Sequence, residues 1–194
     1  MIRVLFVCHG NICRSPMAEF ICKKKIKERG LEKLVYAESA ATSYEEIGNP
    51  LYPPAKRKLT EKGITDFMHK RARHMEKTDY AGFDYLIGMD RMNIRNMLRI
   101  LGDDPQKKVH MMMEYAQMPV KKNDEENPWW LIGGSGWKFG GENGSSYDDI
   151  VSRGAEEVDD PWYTGDFDGV YNQLDIAIDG LLDEISESFG REKI

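Results

Sequence analysis

The sequence predicts a three-layer α/β domain, a four-stranded parallel sheet flanked by helices. Three observations predict it. Short runs rich in β-branched residues alternate with amphipathic stretches of helical period. The helices close on glycines (Gly30, Gly63, Gly102), which tolerate the left-handed backbone of a helix stop. The 194 residues are 41% hydrophobic and 31% charged, ordinary for one domain with a sizeable core.

Residues 2–7 (Ile-Arg-Val-Leu-Phe-Val) read as a buried strand that runs into a Gly10-Asn11 loop. Ser15-Pro16 then opens a helix, with serine suited to the N-cap and proline to the first helical position. It runs to about residue 29 with Met17, Phe20, Ile21 and Ile26 on one side. Residues 34–37 read as a second strand, and 39–54 as a loop broken by Gly48-Asn49-Pro50 and Pro53-Pro54. A helix over about 54–62 follows, then a strand over 83–88, a helix over 91–101 and a strand over 109–113. The last helix spans roughly 169–189, with Val170, Leu174, Ile178, Leu181, Leu182 and Ile185 as its apolar stripe. Asp166 and Asp168 suit the positive end of its dipole. In a parallel sheet, ligands sit beyond the carboxyl ends of the strands. The loops after the first and second strands, and the segment carrying Asp160, are therefore expected to meet there.

Composition excludes several classes. A net charge of −6 argues against a general nucleic-acid binder. The apolar runs are too short to cross a bilayer, and no cleavable leader pattern is read, so a cytoplasmic location is expected. Three cysteines make no disulfide framework, and the four histidines show no ligand spacing with them, so no metal or cofactor is expected.

The chemistry concentrates in Cys8-His9-Gly10-Asn11-Ile12-Cys13-Arg14-Ser15. A Cys-x5-Arg-Ser pattern arises by chance in roughly one chain in a hundred of this length, and less often between a strand and a helix. A short loop ending at a helix N-terminus can turn successive backbone N–H groups inward as an anion nest. Gly10 permits close backbone approach, and Asn11 tolerates a left-handed conformation. Arg14 adds a planar fork for two phosphate oxygens. This positive field favours a thiolate on Cys8 and then receives the phosphate that the thiolate attacks. Ser15 has two competing uses, donating to the sulfur or capping the helix.

These residues resemble the signature of the low-molecular-weight protein tyrosine phosphatases. The resemblance continues through Ser39-Ala40-Ala41-Thr42-Ser43, Ile47-Gly48-Asn49-Pro50, Phe83-Asp84-Tyr85, Met89-Asp90 and Asp160-Pro161-Trp162-Tyr163. It implies a phosphotyrosine protein or peptide as substrate, a cysteinyl-phosphate intermediate and inorganic phosphate as product. It implies that Cys8 and Arg14 are catalytic and that Asp160 protonates the leaving phenolate, with Asp159 as the runner-up. His9, Gly10, Asn11, Ile12, Cys13 and Ser15 are then substrate-binding. Trp162 and Tyr163 fall at the family's pocket wall, and Ser39 at the serine that supports the loop asparagine. Cys13 corresponds to the neighbour that can trap an oxidised nucleophile as a disulfide; Cys22 reads as core.

Two positions depart from the family pattern. An aromatic is usual just before Glu-Ile-Gly-Asn-Pro; here Glu45 stands there and Tyr44 one earlier, both assigned to the pocket rim. A carboxylate there disfavours acidic phosphopeptides. His9 stands where small or apolar residues are usual; it contacts substrate or merely sits at the surface. Ile12 resembles the phosphotyrosine type, whereas relatives acting on phosphoarginine carry threonine. Arsenate reductases of the same fold use later cysteines, absent after Cys22. A phosphopeptide-binding module remains the non-enzyme alternative, although binding requires neither Cys8 nor Asp160.

A single phosphatase domain spans residues 1–194 on this reading, with an atypical insertion at about 119–155. Trp129, Trp130 and Trp137 crowd around Gly133-Gly134-Ser135-Gly136 there, and Ser146-x-x-Asp149 resembles a capping box for a short helix with Ile150 and Val151. The segment reads either as a lid or exosite, or as a small satellite core with a flexible tip.

Overall fold

The computed structural model describes residues 1–117, 147–153 and 156–191. The tryptophan- and glycine-rich part of the expected insertion and Ser146 lie outside the described residues.

Four strands, β1 (Ile2–Cys8), β2 (Val35–Ala41), β3 (Tyr85–Gly88) and β4 (Val109–Met111), form one parallel sheet in the order β2-β1-β3-β4. The expected architecture is present. Side chains alternate across β1: Val4, Phe6 and Cys8 enter one core, Leu5 and Val7 the other. The first core packs α1 (Arg14–Glu28) and α7 (Phe167–Arg191) on the sheet; α2 (Pro53–Glu61) adds Ala55 and Leu59. The second packs α4 (Arg91–Leu101), with Ile150 of α5 (Tyr147–Arg153), on the opposite face. Coverage on both faces is why β1 reads as a continuous apolar run.

Several boundaries differ from the sequence expectation. Strand β2 extends through Ser39-Ala40-Ala41, read above as the start of a loop. These small residues have little strand propensity, but each pairs with β1, opposite Phe6, Val7 and Cys8, and tertiary pairing overrides the local preference. The fourth strand stops at Met111, and residues Met112–Gln117 wind as a 3-10 helix. Two one-turn helices were not foreseen, α3 (Asp79–Gly82) and α6 (Pro161–Thr164). Helix α1 begins at Arg14, not after a Ser15 cap; Cys13 occupies the cap position without a side-chain cap bond.

Strand order matters for the site. The chain goes from β1 outward to β2, then returns to place β3 on the other side of β1. The connections leaving β1 and β3 diverge, opening a crevice at their carboxyl ends. Cys8 ends β1, and Asp90 follows β3 after one residue, Met89. No helix among the described residues is long and apolar enough to cross a membrane.

Candidate active site

Loop 8–14 closes over the end of β1, and its shape is held by Asn11. Asn11 is 1% exposed with φ of 57°, a left-handed backbone that asparagine adopts more readily than most residues. Its amide donates to Ser15 Oγ at 2.9 Å and to Ser39 Oγ at 2.8 Å, while its Oδ1 accepts from the Arg73 backbone N–H at 3.2 Å. Ser39 Oγ in turn donates to Glu19 Oε2 at 2.6 Å. Burial alone drives the Glu19 carboxyl up, but Lys70 at 2.7 Å and Lys23 at 2.5 Å outweigh it and hold it below its ordinary value. A buried ionic cluster thus anchors the loop from behind.

The Cys8 sulfur faces donors. The Asn11 N–H points at it from 3.3 Å, and Ser15 Oγ lies 3.0 Å away. Ser15 has one hydroxyl proton and two acceptors in reach, the sulfur and Ala40 O at 3.3 Å. A protonated sulfur can donate to Ser15, leaving the hydroxyl proton for Ala40. A thiolate can only accept, so Ser15 must then turn its proton to sulfur. Of the two uses open to Ser15, the geometry favours the sulfur: the hydroxyl lies inside the first turn of α1, not at its cap.

Arg14 rises from the same turn and is 4% exposed. Its Nη1 donates to Asp90 Oδ2 at 2.6 Å and its Nη2 to Asp160 Oδ2 at 2.7 Å. Burial opposes its charge, and Cys8, Asp90 and Asp160 more than restore it, raising its pKa. Asp90 also caps α4, its Oδ1 accepting from Asn93 N at 2.6 Å. This aspartate was missed as a functional candidate, though its cap signature and position after a strand were visible. Asp160 caps α6, accepting from Trp162 N at 3.0 Å, and its carboxylate is about one-third exposed. Asp159 instead pairs with the Gln173 side-chain amide.

The remaining candidates distribute unevenly. Ile12 and Cys13 are buried in the loop, and Ile12 O accepts from Tyr52 N at 2.9 Å. The Tyr52 ring lies 5.1 Å from that of Trp162 and 6.1 Å from that of Phe167, an aromatic wall beside the loop that sequence reasoning left without Tyr52. Tyr163 is 85% exposed. Tyr44 stacks on His74 with ring centroids 3.8 Å apart. Glu45 bonds to His9 Nε2 at 3.1 Å. Gly10 packs so closely on Glu46 that an added Cβ would sit 3.1 Å from Glu46 Cγ.

The three thiols differ in environment. Burial, then proximity to Cys8, pushes the Cys13 thiol up to about 12; burial pushes Cys22 to about 12 as well. Both stay protonated, hence poorly nucleophilic, through neutral pH. Iodoacetamide at pH 7 is therefore expected to modify about one thiol per native chain, at Cys8, with the other two reacting only on unfolding. Peptide mapping by mass spectrometry checks this.

The family model for low molecular weight phosphotyrosine protein phosphatase matches residues 3–133. The chain belongs to this family. It is 31% identical over 187 residues to the low molecular weight protein-tyrosine-phosphatase YfkJ of Bacillus subtilis, covering 96% of this chain and 97% of that one. It is 38% identical over 124 residues to the low molecular weight phosphotyrosine protein phosphatase of Schizosaccharomyces pombe, covering 62% and 77%. The crystal structure of YfkJ superposes with a TM-score of 0.74 at 30% identity, covering 97% of this chain and 96% of that chain. A Drosophila arginine phosphatase shares the fold at 23% identity and a TM-score of 0.66, covering 95% and 97%. Fold alone therefore does not separate phosphotyrosine from phosphoarginine chemistry.

Proposed function

We propose that this member of the family is a cytoplasmic protein-tyrosine phosphatase hydrolysing phosphotyrosine, and small aryl phosphates, through a cysteinyl-phosphate intermediate. The observation that carries this reading is the Cys8 sulfur set among donors at the end of β1, with the Arg14 fork beside it reaching Asp160. The loop N–H groups and Arg14 take the phosphate oxygens. Because the phosphate competes for Arg14, Asp160 is released toward the leaving oxygen. Cys8 Sγ forms a bond to phosphorus as the phosphorus–oxygen bond to the phenol breaks, and the proton on Asp160 goes to that oxygen. Water then attacks the phosphorus, Asp160 takes its proton, and the sulfur leaves as a thiolate accepting from Ser15 and the Asn11 N–H. Trp162 and Tyr52 offer ring surface to the phenyl group.

Comparing phosphate release from phosphotyrosine, phosphoserine and phosphoarginine tests the reading. A burst of phenol followed by steady turnover is expected with aryl phosphate, and phosphotyrosine should lead the three. Stoichiometric binding without turnover would favour a binding module, and a lead for phosphoarginine would favour the arginine-phosphatase alternative.

The catalytic chain is assigned to one domain over residues 1–194, with the Gly/Trp-rich segment as an insertion. Deleting residues 121–145 is expected to alter selectivity among phosphopeptides more than turnover of a small aryl phosphate. Equal loss on both, in paired kcat/KM measurements, would make the segment structural.

A further inference from the structure

Charge around the mouth of the Cys8 loop is one-sided. Segments 43–52 and 157–166 flank that mouth, and together they hold six carboxylates and no lysine or arginine. Their placement on the loop is direct. Glu45 contacts His9, Glu46 packs on Gly10, and Asp160 contacts Arg14. Asp160 is committed to Arg14, Glu157 to Arg91, and Asp166 to the first turn of α7. Among the described residues, the other three meet no lysine or arginine. Glu46 bonds to the neutral amide of Asn49 at 2.7 Å and Asp159 to that of Gln173. Glu45, with a side chain 73% exposed, pairs with His9 alone among the described residues.

Three cations of neighbouring elements are paired within the fold, whereas Arg71, next to the Ala72 that bonds Gly48 and Asn49, donates only to backbone carbonyls among the described residues. Arg91 holds Glu157, Lys58 holds Glu61 and Asp168, and Arg73 holds Glu38 and Asp79. The phosphate itself meets a positive loop floor, but the residues flanking the phosphotyrosine must pass a negative rim. Charge complementarity at such a rim sets which partner is accepted more than how tightly any one is held.

Resting on the phosphotyrosine reading above, we propose that the substrate is a phosphotyrosine set among lysines and arginines, and that Glu45 and Glu46 are its specificity-determining residues. Asp159 extends the same negative surface. The loop floor and the rim thus sort two parts of one ligand: the floor takes the anion, and the rim takes the basic chain on either side.

The test compares kcat/KM for the native chain on 4-nitrophenyl phosphate and on two phosphotyrosine peptides of equal length, one with basic flanks and one with acidic flanks. The basic peptide is expected to lead by about tenfold or more at about 0.05 M salt, from two or three exposed charge pairs. At about 1 M salt, where charges more than about 3 Å apart are screened, the lead should shrink to about twofold. Glu45→Gln with Glu46→Gln should collapse the ratio of the two peptides, and Glu45→Asp with Glu46→Asp should retain it. A native ratio of one or below overturns the proposal. So does a basic preference indifferent to salt and to the glutamine pair. Hydrolysis of 4-nitrophenyl phosphate with a flat peptide ratio removes this proposal alone; hydrolysis of none of the three removes the phosphatase reading with it.

Discussion

Cys8→Ser is expected to cut hydrolysis of aryl phosphates by on the order of 10⁴-fold or more while leaving inorganic phosphate bound. The reason lies in how the site is divided. Binding rests on the loop N–H groups and the Arg14 fork, and neither depends on the sulfur. Reaction rests on an anion at the position 3.3 Å from the Asn11 N–H and 3.0 Å from Ser15 Oγ. A serine hydroxyl there stays protonated at neutral pH and offers phosphorus a far weaker nucleophile. Removing a covalent nucleophile from an otherwise intact constellation typically costs this much. Steady-state turnover of 4-nitrophenyl phosphate, with phosphate affinity from calorimetry, reads both halves. Residual turnover within tenfold of the native chain would reject Cys8 as the nucleophile. Loss of phosphate affinity by more than about tenfold would mean that the sulfur also builds the loop.

The candidate nucleophile loop was legible because its determinants are local. Cys8, Gly10, Asn11, Arg14 and the strand before them sit within one short stretch, and the left-handed Asn11 follows from residue type. Asp90 was not legible in the same way. Its contact with Arg14 spans 76 positions and depends on β3 lying beside β1, a consequence of strand order that periodicity does not carry. The extension of β2 through Ala41 has a similar origin. Small residues at Ser39-Ala40-Ala41 look like loop until paired with β1, and that pairing brings Ser39 within 2.8 Å of Asn11. The rim shows the limit of counting positions. Glu45 was singled out by its offset from the family pattern, yet the turn also seats Glu46 against Gly10, which only backbone geometry reveals. Tyr44, assigned to the rim, stacks on His74 instead of the loop, because its ring finds a flat partner there.

Asp160→Asn carries the second large effect, and its diagnostic is the leaving group. Asparagine is nearly isosteric and can still accept from Trp162 N, so the α6 cap survives. Its single carbonyl oxygen serves that bond, so the contact with Arg14 Nη2, made by the other carboxylate oxygen, is lost, and Asp90 alone still holds the fork. What asparagine cannot do is surrender a proton. Tyrosine's phenol has a pKa of about 10, so its phenolate is a poor leaving group unless protonated as it departs. General acid catalysis of this kind contributes about 10²–10⁴-fold, and that loss is expected in kcat/KM for phosphotyrosine. An acidic nitrophenol leaves readily as its anion, so 4-nitrophenyl phosphate should lose far less. A series of aryl phosphates with graded phenol acidity would show a shallow dependence for the native chain and a steep one for the variant. Parallel losses across the series would instead mean that Asp160 acts by holding Arg14, a positioning role that Asp90, on the other arm of the same guanidinium, already fills. Asp159→Asn serves as the counterpart: its carboxylate pairs with Gln173, away from Arg14, and the slope of the series should stay that of the native chain.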